Sequence, residues 1–129
     1  ANKVLAESIV EVTYKDALDK AMRLYKNEKY IDAIQEYDNI LAKHPEDVNA
    51  QFYYGLCKYH LGQNGAALKK FDSVLKNRQT EFNEEANWYK ALTLVEMMST
   101  TAAKELLGNI VKQNGFYKAK AEEKLKEFK

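Results

Sequence analysis

The sequence predicts an all-α protein made of three helix-turn-helix repeats and closed by a C-terminal capping helix. Three observations indicate this fold class. Only five glycines and one proline occur among 129 residues, so few positions interrupt a helix. Small and aromatic residues recur at steps of 34 and then 36 residues, which is the length of a two-helix repeat. The last residues have the spacing of one more amphipathic helix.

Six columns of the sequence share these two steps, and their common register defines the repeats. The columns are Leu18, Phe52 and Trp88; Ala21, Gly55 and Ala91; Tyr25, Tyr59 and Val95; Ala33, Ala67 and Ala103; Tyr37, Phe71 and Leu107; and Ile40, Val74 and Ile110. We therefore place the repeats at about residues 14–47, 48–83 and 84–115. A lead-in segment at residues 1–13 precedes them, and a cap helix at residues 116–129 follows.

Each repeat divides into two helices at a short, mostly polar break. The predicted breaks are Asn27–Lys29, Gly62–Gly65 and Ser99–Thr101. The second helix of the first repeat ends before Pro45, because proline disfavours helix in the residue that precedes it. The two extra residues of the longer step fit the polar stretch at residues 76–84, which we predict to be a loop.

Two of the columns hold small residues, and these have a packing role. Alanine or glycine at facing positions lets the two antiparallel helices of a repeat approach closely, whereas a larger side chain would separate them. The predicted facing pairs are Ala21 with Ala33, Gly55 with Ala67, and Ala91 with Ala103. The large columns then fill the space between successive hairpins, because one hairpin cannot bury its apolar face alone.

The two ends of the chain differ in how clearly their patterns predict structure. The cap helix places four apolar residues on one face: Tyr117, Ala121, Leu125 and Phe128. Such a helix would cover the last apolar face of the stack. In the lead-in segment Leu5, Ile9 and Val12 have helical spacing, while residues 10–12 alternate as in a strand.

The combined pattern resembles the tetratricopeptide repeat, whose 34-residue unit has aromatic and small residues before its turn and alanine, an aromatic residue and proline after it. The second repeat matches best, in Phe52–Gly62 followed by Ala67 and Phe71. The first repeat departs at Ala17, where the family often has tryptophan, and the third has Gly115 in place of proline. The resemblance implies a right-handed α-α superhelix, a solenoid that binds proteins or peptides.

A narrower resemblance concerns the source of the chain. The segment Glu84–Tyr89 is similar to tetratricopeptide domains of Bacteroidetes-type bacteria, many of which follow a single membrane anchor and lie in the periplasm. That resemblance implies a periplasmic domain, with the cytoplasm as the alternative. The sequence itself has no run near the roughly 18 apolar residues of a membrane span, so we expect no membrane contact from this segment.

The residue types that carry chemistry do not form a catalytic or metal-binding pattern. His44 and His60 lie in different repeats and lack the spacing of a metal-binding pair on one helix. Cys57 has no histidine or second cysteine near it in the sequence, and a buried structural thiol is expected there. We therefore expect a non-catalytic protein without a cofactor.

The resemblance places the first helices of the repeats around a concave groove, and the register names the side chains that line it. The predicted groove residues are Leu18, Met22, Tyr25, Lys26, Asn49, Phe52, Leu56, Tyr59, His60, Trp88, Leu92, Val95 and Glu96. A peptide or protein segment anchored on Phe52, Tyr59 and Trp88 is one interpretation. The alternatives are that these residues are core, that the segment around residues 4–12 covers them, or that the surface pairs weakly with a second copy.

Two other kinds of ligand are disfavoured. A carboxylate clamp needs lysine, asparagine and arginine in the groove, whereas Leu18 and Phe52 occupy such positions and Asn49 alone fits. Single-stranded RNA is disfavoured because 20 basic and 19 acidic residues leave a net charge of +1. Glu85 and Glu96 in the same strip would also repel phosphates.

Overall fold

A computed structural model describes residues 2–77 and 81–128 of the chain. These residues form seven α-helices and a terminal 3-10 helix, with no strand among them. The elements are α1 (Asn2–Lys26), α2 (Tyr30–Lys43), α3 (Val48–His60), α4 (Asn64–Lys76), α5 (Asn83–Glu96), α6 (Thr100–Gln113), α7 (Lys118–Leu125) and the 3-10 helix (Lys126–Phe128). The predicted all-α fold of three hairpin repeats with a C-terminal helix is confirmed.

The helices pack in chain order, so that each contacts the next along the stack. In addition α1 contacts α3 and α3 contacts α5, while the second helices of the repeats make no comparable contacts with each other. The side of a helical stack on which alternate helices meet is the inner side of its curve. The first helices therefore line the concave surface, which we call the inner face.

The small columns form the centre of each helix pair. All five alanines in these two columns are fully buried. At the remaining small position, a Cβ atom on Gly55 would lie 2.8 Å from Phe71 Cε1 and 3.2 Å from Lys70 Cβ. The nearest neighbours of Gly55 are thus one turn beyond Ala67, the residue predicted to face it. Glycine is needed here because the buried Phe71 ring occupies the space of a side chain.

The three turns between paired helices have the same backbone conformation. The left-handed residue is Glu28 in the first repeat, Gly62 in the second and Met98 in the third, with φ of 60°, 77° and 59°. Each turn is closed by a backbone bond of 2.9 Å, from Lys29 to Leu24 in the first repeat and from Ser99 to Leu94 in the third. These bonds satisfy helix carbonyl groups that would otherwise lack a donor.

Two predicted breaks need correction. The third was placed at Ser99–Thr101, but α5 ends at Glu96 and α6 begins at Thr100, so the turn is residues 97–99. In the second repeat α4 begins at Asn64, inside the predicted break. In both cases, residues that start a helix were assigned to the turn before it. The predicted loop at residues 76–84 lies between α4 and α5, and its residues 78–80 are outside the described part.

The lead-in segment is continuous with the first helix. Because α1 begins at Asn2, the predicted boundary between residues 13 and 14 falls inside a helix, and the alternation at residues 10–12 does not produce a strand. The side chains of residues 2–5 and 7–12 are outside the described ones. The predicted cover of the groove by residues 4–12 therefore stays a prediction.

The C-terminal helix packs against α6 at the end of the stack. Ala121 is fully buried there. Tyr117, Leu125 and Phe128, the other members of the predicted apolar face, pack against the same core, which includes Trp88. The last hairpin is thereby covered by apolar side chains of α7 and the 3-10 helix.

A tyrosine-lined inner face as the candidate interaction surface

Four tyrosines from all three repeats meet on the inner face. Tyr25 comes from α1, Tyr53 and Tyr59 from α3, and Tyr89 from α5, and each is half-buried. We call these four residues the tyrosine cluster. The ring centroids of Tyr25 and Tyr53 are 5.2 Å apart, and those of Tyr59 and Tyr89 are 5.6 Å apart, both edge to face. Edge-to-face contacts at such distances are favourable between aromatic rings.

A buried phenylalanine joins the two halves of the cluster from beneath. The Phe52 ring lies 5.2 Å from Tyr53 and 6.4 Å from Tyr89. It also stacks on Phe82, which precedes α5, at 5.0 Å. Because Phe52 contacts both neighbours, it fixes the spacing between α3 and α5 at which the tyrosines are presented.

The phenol groups of the cluster are held in their neutral form. Burial raises the pKa of all four tyrosines above the ordinary value. The Tyr89 phenol adds to the increase at Tyr25, although the two residues are two repeats apart.

The charged groups that act on the cluster are carboxylates. Glu85 and Glu81 raise the pKa of Tyr53, and Glu96 raises that of Tyr59. The pKa of Glu85 is itself raised, first by burial and then by the neighbouring acids Glu81 and Glu84. Within the described residues, none of these four glutamates belongs to an ion pair. Among the described residues, the inner face therefore combines aromatic rings with carboxylates that form no ion pair.

Histidine and a fifth tyrosine form one edge of the cluster. The His60 ring stacks on Tyr30 at 4.7 Å, and His60 Nε2 lies 3.4 Å from the Tyr25 hydroxyl. Partial burial lowers the pKa of His60 in spite of the nearby Glu28 carboxylate. A neutral imidazole is therefore expected beside Tyr25 at neutral pH.

The structure separates the predicted groove residues into three groups. Seven are half-buried: Leu18, Met22, Tyr25, Asn49, Tyr59, Leu92 and Val95. Three are exposed: Lys26, His60 and Glu96. Three are buried, with Phe52 at 0%, Leu56 at 4% and Trp88 at 9% exposure. The interpretation that some predicted groove residues are core is right for this last group.

The prediction that Phe52 and Trp88 anchor a partner directly needs correction. Phe52 is enclosed by the aromatic rings of the second and third repeats and has no exposed surface. Trp88 stacks on Tyr117 of the cap at 5.4 Å, so its ring belongs to the junction with α7. Both side chains support the surface and are shielded from a partner in this conformation.

Two members of the cluster, Tyr53 and Tyr89, were missed by the sequence analysis. They follow Phe52 and Trp88 directly, and they obey the same step of 36 residues. Their column was not recognised because the first repeat has Asp19 at that position. Adjacent residues of a helix point in directions about 100° apart. In Phe52–Tyr53 and in Trp88–Tyr89, either aromatic residue could therefore have been the one that faces the inner surface.

A cavity of about 250 Å³ lies elsewhere, at the start of the stack. It is lined by Thr13, Tyr14, Ala17, Asn39, Ile40, Lys43 and His44, from α1 and the end of α2. The Tyr14 ring lies 4.6 Å from the His44 ring, and its hydroxyl donates to the Asp47 carboxylate. Asp47 also caps α3 by accepting from the Ala50 amide at 3.0 Å. None of the lining residues belongs to the tyrosine cluster.

No described helix has the length and apolar character needed to cross a membrane. No group of three or more histidine, cysteine or acidic side chains in residues 2–77 and 81–128 is arranged to hold a metal ion.

Comparisons with known proteins place this architecture in a family. A tetratricopeptide repeat family model matches residues 18–84, just over half of the chain. Among solved structures, the type III secretion translocator chaperone SycD of Yersinia enterocolitica, crystallised as an alternative dimer, has a TM-score of 0.76 and 16% identity. The match covers 89% of this chain and 90% of SycD, and at that identity the likeness concerns the fold. A comparison with curated proteins finds no match. The chain belongs to the tetratricopeptide repeat family.

Proposed function

We propose that the chain is a non-catalytic interaction module that binds a peptide or protein segment on its inner face. The observation that carries the proposal is the tyrosine cluster, in which three repeats contribute half-buried rings to one surface. The hydroxyls of Tyr53, Tyr59 and Tyr89 make no hydrogen bond with any described group. They are therefore free to bond the backbone or side chains of a partner.

Tyrosine suits this role because one side chain supplies apolar area and a polar group together. Aromatic residues on rigid supports are the usual energetic centres of interfaces, and they lose little conformational entropy on binding. Here the supports are helices, and the buried Phe52 fixes the separation of α3 and α5. A partner would thus meet a preformed surface, which lowers the cost of association.

The comparisons are consistent with this proposal. The family match gives the repeat architecture, in which first helices line a concave face. SycD, which shares the fold, is by name a chaperone of type III secretion translocators, so it acts on other proteins. No translocator is assigned to the present chain on this basis.

A random peptide library provides the test, since the partner is unidentified. Captured peptides would be titrated against Tyr53→Leu and Tyr59→Leu, which keep apolar volume and remove the phenol. We expect each change to weaken binding by about tenfold or more. Tyr54→Leu is the matched control, because Tyr54 is a half-buried neighbour whose ring faces Lys58 and Lys70 instead.

The outcomes separate the inner face from other surfaces. Equal losses in the Tyr53 and Tyr54 variants, with native helicity by circular dichroism, would place binding outside the tyrosine cluster. If no peptide binds, sedimentation at several concentrations tests for a dimer. A dimer that Tyr53→Leu dissociates would mean that the same surface serves self-association instead.

A further inference from the structure

Lysine side chains lie over two half-buried tyrosine rings outside the tyrosine cluster. Lys58 and Lys70 lie over the Tyr54 ring, with their Nζ atoms 5.5 and 4.9 Å from the ring centroid. Lys120 lies 5.5 Å from the centroid of Tyr117. Among the described residues, no lysine or arginine takes such a position over Tyr25, Tyr53, Tyr59 or Tyr89.

The carboxylate of Glu85 lies close to the tyrosine cluster along α5 and could pair with a cation bound there. Glu85 lies one helical turn before Tyr89 on α5, so both side chains project from the same side of the helix. After burial, the Glu85 carboxylate is the next cause that raises the pKa of both Tyr53 and Tyr89. Glu85 is half-buried and has no ion-pair partner among the described residues, so its charge is only partly screened by water.

The helix dipole does not account for this arrangement. A glutamate in the first turn of α5 is favourable there, which explains Glu84 and Glu85 in part. Glu96, however, is the last residue of the same helix, where the dipole opposes a negative charge. Glu96 is eleven positions from Glu85 and projects in nearly the same direction, since eleven residues make just over three turns. The inner stripe of α5 therefore carries an acid at each end, with Tyr89 and Leu92 between them.

We propose that the partner segment carries a lysine or arginine whose aliphatic stem lies on the rings of Tyr53 and Tyr89 and whose charge pairs with Glu85. Aromatic faces attract cations, and a nearby carboxylate adds direct attraction and a hydrogen-bond acceptor. The apolar Leu92, three residues after Tyr89 on α5, favours an uncharged residue next to the cation. The inference rests on the proposed function, because it names the chemistry of the segment bound there.

The test uses two small probes and the whole chain. Nα-acetyl-arginine methylamide carries the cation, and Nα-acetyl-norleucine methylamide has a similar stem without charge. In two-dimensional NMR of the ¹⁵N-labelled protein, we expect the arginine probe to shift the amide signals of Tyr53, Glu85 and Tyr89 saturably. The norleucine probe should bind at least about threefold more weakly.

Matched variants decide which charge matters. Glu85→Gln should weaken arginine-probe binding by at least about threefold, whereas Glu105→Gln, the same charge change at an exposed site on α6, should leave it unchanged. Equal binding of the two probes, an unaffected Glu85→Gln variant, or equal losses in both variants would overturn the cation site.

Failure of this inference can be told apart from failure of the proposed function. Library peptides that lack lysine and arginine, yet lose binding with Tyr53→Leu, would leave the interaction surface intact and overturn the cation site. Captured peptides enriched in a single basic residue, with their binding reduced by Glu85→Gln, would support both. If no peptide is captured, the arginine titration still decides whether the cation site exists.

Discussion

Two of the three left-handed turn residues are of types that normally avoid a positive φ angle. Glycine adopts positive φ at little cost, whereas other residues pay about 1–2 kcal/mol for it. Only the second repeat has glycine, Gly62, at this position. Glu28 and Met98 hold the same conformation in the other repeats, because the backbone bonds that close the turn require it.

Replacing Met98 by glycine should therefore stabilise the protein. The Met98 side chain is 86% exposed, so removing it sacrifices little packing. We expect Met98→Gly to raise the free energy of unfolding by about 1 kcal/mol, measured by urea denaturation followed by circular dichroism. Gly62→Ala is the reverse change and should lower it by a similar amount. A destabilised Met98→Gly variant would mean that the side chain makes contacts its exposure does not indicate.

At the scale of the elements, the close approach of α3 and α4 depends on a missing side chain. Phe71 of α4 lies over the backbone of α3 at Gly55, and its ring is fully buried. The ring cannot turn aside, because Phe52 and Tyr89 pack on it. Glycine inside a helix costs stability by itself, so its presence at Gly55 reflects this contact.

A methyl group at that position should force the two helices apart. The Cβ atom of Gly55→Ala would lie 2.8 Å from Phe71 Cε1, and we expect a loss of about 1–3 kcal/mol in the free energy of unfolding. Gly108→Ala in α6 is the control, since a Cβ there meets no atom within 4 Å. It should stabilise by about 0.5–1 kcal/mol through helix propensity. If both alanine variants gained stability, the α3–α4 contact would be looser than the structure shows.

For the whole molecule, burial of ionisable groups links stability to alkaline pH. Burial raises the pKa of the Cys57 thiol from 9.0 to about 12, and it raises the pKa of the fully buried Tyr37 as well. The folded state therefore keeps protons that the unfolded chain releases above about pH 9 for the thiol and pH 10 for the phenol. This part of the stability is complete below those values and is lost as pH rises toward the folded pKa.

We expect the thiol alone to lower the free energy of unfolding by about 1 kcal/mol between pH 9 and 10, with the buried phenols adding to the decline there and making it steeper above pH 10. Urea midpoints at pH 8, 9, 10 and 11 measure the decline. Cys57→Ala should be less stable overall and should show a decline between pH 9 and 10 that is smaller by the thiol's share, while it keeps the steeper decline above pH 10. An unchanged profile in Cys57→Ala would show that the thiol is not the group responsible.

Much of the fold could be predicted because its signals are local. The columns at steps of 34 and 36 residues mark the helix pairs, and the alanines among them are all buried. The boundary error at Ser99 arose because the third turn is built from Met97 and Met98, which lack the polar composition of a turn. The left-handed conformation of this turn is set by its backbone hydrogen bonds and does not require a particular residue type.

The candidate site was less predictable, because it depends on which side of each first helix meets a neighbour. Phe52 and Tyr53 are both aromatic and adjacent, and periodicity alone does not say which is covered. In the structure Phe82, just before α5, stacks on Phe52 and leaves Tyr53 half-buried. The same ambiguity applies to Trp88 and Tyr89: in the structure Tyr117 covers Trp88, and Tyr89 stays half-buried.

The sequence by itself determined the number of repeats, their helical pairing and the presence of an aromatic strip along the first helices, since side-chain spacing and small residues act within one hairpin. The tertiary structure alone decided which aromatic residues stay accessible and that the half-buried Glu85 has no ion-pair partner among the described residues. The reason is physical: exposure and ion pairing depend on the packing between repeats, where side chains are covered by residues about thirty positions away, as Phe82 covers Phe52 and Tyr117 covers Trp88.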